Sequence, residues 1–138
     1  MKQILEAIEA REEASWKIGD ALLTELGPPG TREEDLEEMR KMSKKLNNAG
    51  YVYGPGDLLR FWRVSHAFGP SQRRLGYTLC AAAGTPEILE AIISRTPPSV
   101  EITKSYVQSL CYGKKRLDVE DDRKEFLKAW WEIKRELA

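Results

Sequence analysis

The sequence has few of the residues that build catalytic and metal centres. It contains one histidine, His66, and two cysteines, Cys80 and Cys111, without the paired spacing of a zinc site. A nucleophilic triad would need His66 as its only base, and no known motif surrounds either cysteine. The glycines of residues 50–56 lack the strand and the Gly-Lys-Ser/Thr ending of a phosphate loop. We therefore expect no catalytic residue, no metal and no cofactor, and a protein that is not an enzyme.

Long apolar runs are absent as well. No stretch approaches the roughly 18 apolar residues of a membrane span, and the amino terminus, Met1 to Glu6, lacks the apolar region of a secretory signal. The sequence therefore predicts a soluble cytoplasmic protein that does not enter a membrane. In that reducing compartment we expect both cysteines to be free thiols.

Strand-like alternation is almost missing too, since Val100 to Ile102 is the only short candidate. Apolar residues instead recur at helical spacing along most of the 138 residues, a length that suits one domain. The predicted fold is all-α, a compact multi-helix domain over residues 1–138 that contains a helix-turn-helix. Its parts are an acidic amino-terminal helix at 1–30, the helix-turn-helix at 31–76, helical support at 77–113 and a terminal helix at 118–138.

Turn and capping residues predict where the helices begin and end. The first helix is one long helix, or two with a bend near Ser15, and it stops at Gly27-Pro28-Pro29-Gly30. Thr31 and Glu34 form a capping box for the second helix, which Gly50 ends in the left-handed conformation. A glycine- and proline-rich turn at 51–56 leads to a third helix at 58–68, and residues 71–83 continue as a helical piece. Thr85, Thr103 and Asp118 are predicted to cap the later helices.

The net charge is zero, but the charges are segregated along the chain. Residues 1–40 hold 5 basic and 11 acidic side chains, residues 41–80 hold 7 basic and 1 acidic, and residues 81–138 hold 10 of each. Mixed signs would serve solubility better than such a division. The middle third therefore carries a positive field that favours nucleic acid as a partner.

The residues from Leu36 to Phe68 have the layout of a helix-turn-helix, in which the second helix enters the major groove of DNA. Arg60 and Arg63 lie between apolar positions of that second helix, so we expect both to point outward and to read bases or phosphates. Phosphate contacts are predicted for the flanking cations Lys41, Lys44, Lys45, Arg73 and Arg74. The competing interpretation is an ordinary solvated basic face on a helical pair.

Three segments carry a family resemblance: Trp16 to Leu23, Leu58 to Val64 and Phe68 to Arg74. With the helix pair between them, they resemble a little-characterised helix-turn-helix family of actinobacteria and their phages. That family is similar in its reader unit to the DNA-binding part of ParB-type plasmid proteins. The resemblance spans about residues 14 to 110 and implies a regulator or accessory protein of transcription that binds double-stranded DNA, without enzymatic activity. The turn at 51–56 departs from the family by its many glycines and prolines, so the start of the reading helix is open.

The terminal helix carries an apolar stripe that offers a pairing surface. It consists of Phe126, Trp130, Ile133 and Leu137, with Trp131 about 100° around the helix. A homodimer built on this stripe would suit a palindromic DNA site, whereas core packing is the simpler interpretation of the same residues. The alternative function is a small protein-interaction module, for instance a phage protein that binds a host factor through its acidic first helix or terminal tryptophans.

Overall fold

The computed structural model describes residues 1–112 and, beyond them, Trp130, Glu132 and Arg135. The predicted all-α fold is confirmed: six α-helices run through the described residues, and these residues form no strand. The helices are α1 (Lys2–Leu26), α2 (Arg32–Asn48), α3 (Pro55–Ala67), α4 (Tyr77–Ala83), α5 (Pro86–Arg95) and α6 (Lys104–Tyr112). A short 3-10 turn covers Pro70–Gln72. None of the described helices combines the length and apolar character needed to cross a membrane.

The chain divides into two compact units, Met1–Tyr77 and Thr78–Ala138. The division falls one residue after the predicted boundary at residue 76. The prediction of a single domain stays a prediction.

Helix α1 is continuous for 25 residues, which agrees with the first of the two sequence-based alternatives, one long helix. It ends at Leu26, as predicted, where Gly27 adopts φ 77° and its N–H donates to the carbonyl oxygen of Leu23. The Thr31 side chain accepts a hydrogen bond from the Glu34 N–H at 3.4 Å and caps α2. Gly50 has φ 93° just after that helix, which confirms the expected left-handed turn.

Two helix boundaries differ from the prediction. Helix α3 begins at Pro55, because proline is compatible with the first helical position, so Pro55 and Gly56 belong to the helix and not to the turn. Residues 71–83 do not form one helical piece, because Leu75 and Gly76 take φ values of 64° and 87° and break the chain direction before α4. The connection between α2 and α3 is thus residues 49–54.

The first unit is organised around α3, which packs against both α1 and α2. Its core contains Leu22 from α1, Met39 from α2, and Leu58, Leu59 and Trp62 from α3. The Trp62 indole N–H donates to the carbonyl oxygen of Gly27 at 2.9 Å, so the one polar atom of this core side chain has a partner. The core therefore fixes α3 between two neighbours and leaves only part of its surface for other contacts.

The second unit has its own buried side chains, chiefly Cys80, Leu89, Ile92, Val107, Leu110 and Trp130. Thr85 and Thr103 cap α5 and α6 as predicted, accepting from the N–H groups of Ile88 and Tyr106 at 3.3 and 3.1 Å. Neither cysteine forms a disulfide, as expected. The predicted helix start at Asp118 lies outside the described residues.

Candidate nucleic-acid interface

The three predicted phosphate-binding lysines lie together on α2. Lys41, Lys44 and Lys45 are separated by three and four positions, so they occupy one face of the helix, and all three are exposed. We call this surface the lysine face. Lys45 lies in the last turn of α2, where positive charge also complements the helix dipole. That effect on helix stability accounts for Lys45 but not for Lys41 or Lys44.

The loop after α2 connects the lysine face to the start of α3. The Ser43 hydroxyl, next to Lys44, donates to the carbonyl oxygen of Tyr53 at 2.5 Å. The ring of Tyr53 meets that of Phe61, next to Arg60, with 6.4 Å between centroids. Cationic side chains of α2 and α3 therefore flank one short loop.

Of the two arginines predicted to contact bases or phosphates from α3, Arg60 is the one that is exposed. Its side chain is 63% exposed and pairs with Asp57, one turn earlier in α3, at only 3.8 Å. An exposed ion pair of this length contributes little to stability. The guanidinium can therefore leave Asp57 for a stronger acceptor at small cost.

Arg63 does not point freely outward, which corrects the sequence-based expectation. Its guanidinium donates to the carboxylate of Asp35 at 2.7 Å, and the Asp35 side chain is only 4% exposed. A buried carboxylate is costly unless it is paired. Asp35 also accepts the N–H of Gly30 at 2.9 Å, so Arg63 and Asp35 together hold the start of α2 against α3.

Arg73 is likewise engaged inside the fold. It donates two hydrogen bonds to the Asp20 carboxylate, at 2.8 and 2.7 Å, and one to the carbonyl oxygen of Phe68 at 3.0 Å. The guanidinium carbon lies 4.2 Å from the centroid of the Trp16 ring, a cation–π geometry. With its side chain 13% exposed, Arg73 connects α1 to the segment after α3 and does not extend from the surface as the predicted phosphate contact requires. Arg74 is exposed.

The Arg73 pair makes stability sensitive to acid. The hydrogen bonds from Arg73 hold the pKa of Asp20 below its ordinary value of 3.8, while partial burial opposes that shift. The stabilisation is therefore fully present above pH 3.8 and is lost as pH falls through the lower folded-state pKa. We expect the carboxyl carbon of Asp20, followed by NMR, to titrate below 3.8. Arg73→Gln should return the titration midpoint towards 3.8, and an unchanged midpoint would contradict the assignment.

The predicted pairing surface is partly internal to the second unit. Trp130 is 2% exposed, and its indole N–H donates to the carbonyl oxygen of Leu110 at 3.0 Å. This tryptophan therefore packs in the core, the simpler of the two sequence-based interpretations, and is not a free interface residue. The other members of the stripe, Phe126, Trp131, Ile133 and Leu137, lie outside the described residues.

Sequence periodicity did not identify two exposed apolar sites. Tyr51 and Val52 are 62% and 89% exposed, and Leu75 is 49% exposed at its positive φ. A loop with two tyrosines shortly after a pair of lysines is a pattern that could have been noticed in the sequence. His66, the only histidine, is exposed on α3. Within the described part of the chain, no three His, Cys, Asp or Glu side chains are arranged to hold a metal ion.

Comparison with models of known protein families, with curated proteins and with solved structures gave no match to this chain. The resemblance to a phage and actinobacterial helix-turn-helix family stays a prediction.

Proposed function

We propose that the protein is a non-enzymatic, double-stranded DNA-binding regulator or accessory factor that contacts phosphates through the lysine face. The observation that carries the proposal is the exposure of Lys41, Lys44 and Lys45 on one side of α2 in a stretch of low acidity. Residues 41–80 hold a single acidic side chain, Asp57. Such a surface displaces condensed counterions from DNA.

The internal bonds of Arg63 and Arg73 narrow the set of DNA contacts. Lysines act as point charges that suit phosphates, whereas the arginine fork matches the two acceptors of guanine. With Arg63 bonded to Asp35, Arg60 is the exposed arginine of α3 and therefore the candidate base reader. One arginine supplies little sequence discrimination, so we expect weakly specific binding by a single protein chain.

The salt dependence of binding tests this assignment. Each lost phosphate contact should lower the slope of log affinity against log salt by about one unit. The variant Lys41→Ala/Lys44→Ala/Lys45→Ala should therefore lose about three units of slope in fluorescence anisotropy with a labelled duplex. Circular dichroism should remain helical, because all three side chains are exposed.

A second triple variant controls for net charge. Lys2→Ala/Lys17→Ala/Lys104→Ala removes three exposed lysines elsewhere and should keep most of the original slope. Equal losses of slope in the two variants would show that the effect depends on overall charge and not on the lysine face. No binding by a correctly folded wild-type protein at the lowest salt would overturn the proposal.

A protein-interaction role is the second candidate function, and one observation favours it. Ile4, Leu5 and Ile8 of α1 are 60%, 51% and 53% exposed, although they lie at helical spacing. An exposed apolar stripe of this kind suits contact with a protein. Retention on heparin or DNA resin that falls with salt would favour DNA binding, whereas a module of this second kind should not be retained.

A further inference from the structure

The first half of α1 carries an apolar stripe that the rest of its unit does not cover. The same helix buries Trp16, Gly19 and Leu22 in its second half. Towards the amino terminus, Ile4 and Ile8 stand one turn apart on one face, with Leu5 beside them, and all three are at least half exposed. The stripe therefore continues past the point where α1 leaves the packed body.

The stripe leads into a groove with a volume of about 650 Å³. Ile8, Trp16, Pro70 and Leu75 contribute its apolar lining, and Glu9 and Glu13 are among its acidic residues. Leu75 is 49% exposed and holds a φ of 64°, a strained conformation for a leucine. We name the stripe and groove together the acidic groove: Ile4, Leu5, Ile8, Leu75, Glu9 and Glu13.

The same unit carries a second exposed apolar surface of opposite charge. Tyr51, Val52 and Tyr53 are 62%, 89% and 37% exposed in the loop that follows Lys44 and Lys45. The Tyr51 N–H donates to the carbonyl oxygen of Leu46, which holds the loop against the end of α2. We name these five residues the basic loop.

We propose that the acidic groove of one copy binds the basic loop of a second copy, head to tail. Apolar side chains on each surface supply burial, and Glu9 and Glu13 meet lysines of the opposite charge. A symmetric groove-to-groove contact would instead place like charges against each other, which disfavours it. Because the two surfaces differ, the contact repeats and forms open chains or rings.

This contact needs no DNA, but it covers two lysines that the proposed function assigns to phosphates. If that function holds, duplex DNA and the second copy compete for Lys44 and Lys45. The carboxylates of the acidic groove then contact the same lysines that would otherwise contact the phosphates of DNA. Self-association measured without DNA keeps the two proposals separate.

Two variants, each with one surface disabled, test the head-to-tail contact by sedimentation velocity. Leu5→Glu/Ile8→Glu disables the groove, and Lys45→Glu/Val52→Glu disables the loop, all at exposed positions. The wild-type protein should gain mass with concentration between about 1 and 500 µM and lose it as salt rises. Each variant alone should remain monomeric, and their equimolar mixture should form a species of twice the 15.8 kDa chain mass.

That heterodimer is the distinguishing result, because each partner supplies the surface that the other lacks. The control variant Lys104→Glu, at an exposed position in the second unit, should assemble like the wild type. The proposal is overturned by a monomeric wild type throughout this range, or by a mixture that stays monomeric. It is equally overturned by a loop variant that dimerises alone, which indicates a symmetric contact, or by two variants that assemble like the wild type. Circular dichroism of each variant verifies the fold. Added duplex DNA should dissociate the wild-type assemblies only if the proposed function is also correct.

Discussion

Replacing Gly19 by alanine is expected to lower the free energy of unfolding by about 1–3 kcal/mol, although alanine favours helices. Helices α1 and α3 approach so closely at this glycine that an added Cβ would lie less than 3 Å from both the Ser65 side chain and the carbonyl oxygen of Phe61. The carbonyl oxygen belongs to the backbone of α3 and cannot rotate away. The two helices must then separate, which disturbs the packing of Trp16 and Leu22 nearby. Chemical denaturation monitored by tryptophan fluorescence measures the loss.

A glycine in open surroundings provides the matched control. Gly56, in the first turn of α3, has no atom within 4 Å of an added Cβ and no positive φ. Gly56→Ala should therefore be neutral or stabilise the protein by up to about 1 kcal/mol. If Gly19→Ala lowers the free energy of unfolding no more than Gly56→Ala does, then α1 and α3 do not approach each other as closely as described.

Replacing Asp35 by alanine is expected to cost about 2–4 kcal/mol of stability. The change leaves the guanidinium of Arg63 without its carboxylate and the N–H of Gly30 without its acceptor. Because the side chain of Arg63 is 37% exposed, water can solvate part of its charge, which keeps the loss below that of a fully buried pair. The midpoint of denaturant unfolding should fall accordingly.

The exposed ion pair on α3 is the control for this substitution. Asp57 pairs with Arg60 at 3.8 Å, and both side chains are about 60% exposed. Asp57→Ala should cost less than about 1 kcal/mol, including its favourable place in the first helical turn. Similar losses for Asp35→Ala and Asp57→Ala would contradict the buried role of Asp35.

The predictable part of the fold rests on local chemistry. The ends of α1 and α2 follow from Gly27 and Gly50, which accept positive φ, and the starts of α2, α5 and α6 follow from threonine caps. The exposure of the lysine face follows in the same way, because Lys41, Lys44 and Lys45 lie two, five and six positions after buried Met39 and therefore on the opposite side of the helix. These features depend on neighbours within a few positions along the chain.

The orientation of the arginines could not be predicted in this way. Arg63 and Asp35 are 28 positions apart, and Arg73 and Asp20 are 53 apart, so only the tertiary fold brings each pair together. A helical wheel assigns Arg60 and Arg63 to the same polar side and does not reveal that one of them reaches a buried carboxylate. The break in the helix at Leu75 could not be predicted either, because leucine rarely adopts a positive φ.

An NMR titration with duplex DNA tests the central claim most directly, because it reports on every backbone amide of this 15.8 kDa chain. Low-salt addition of an unlabelled duplex to ¹⁵N-labelled protein should shift amides around Lys41, Lys44, Lys45 and Arg60. The amides in α5 should change little, and the shifts should reverse as salt is added. Shifts confined to the first half of α1, or no shifts at any DNA concentration, would contradict DNA binding by the lysine face.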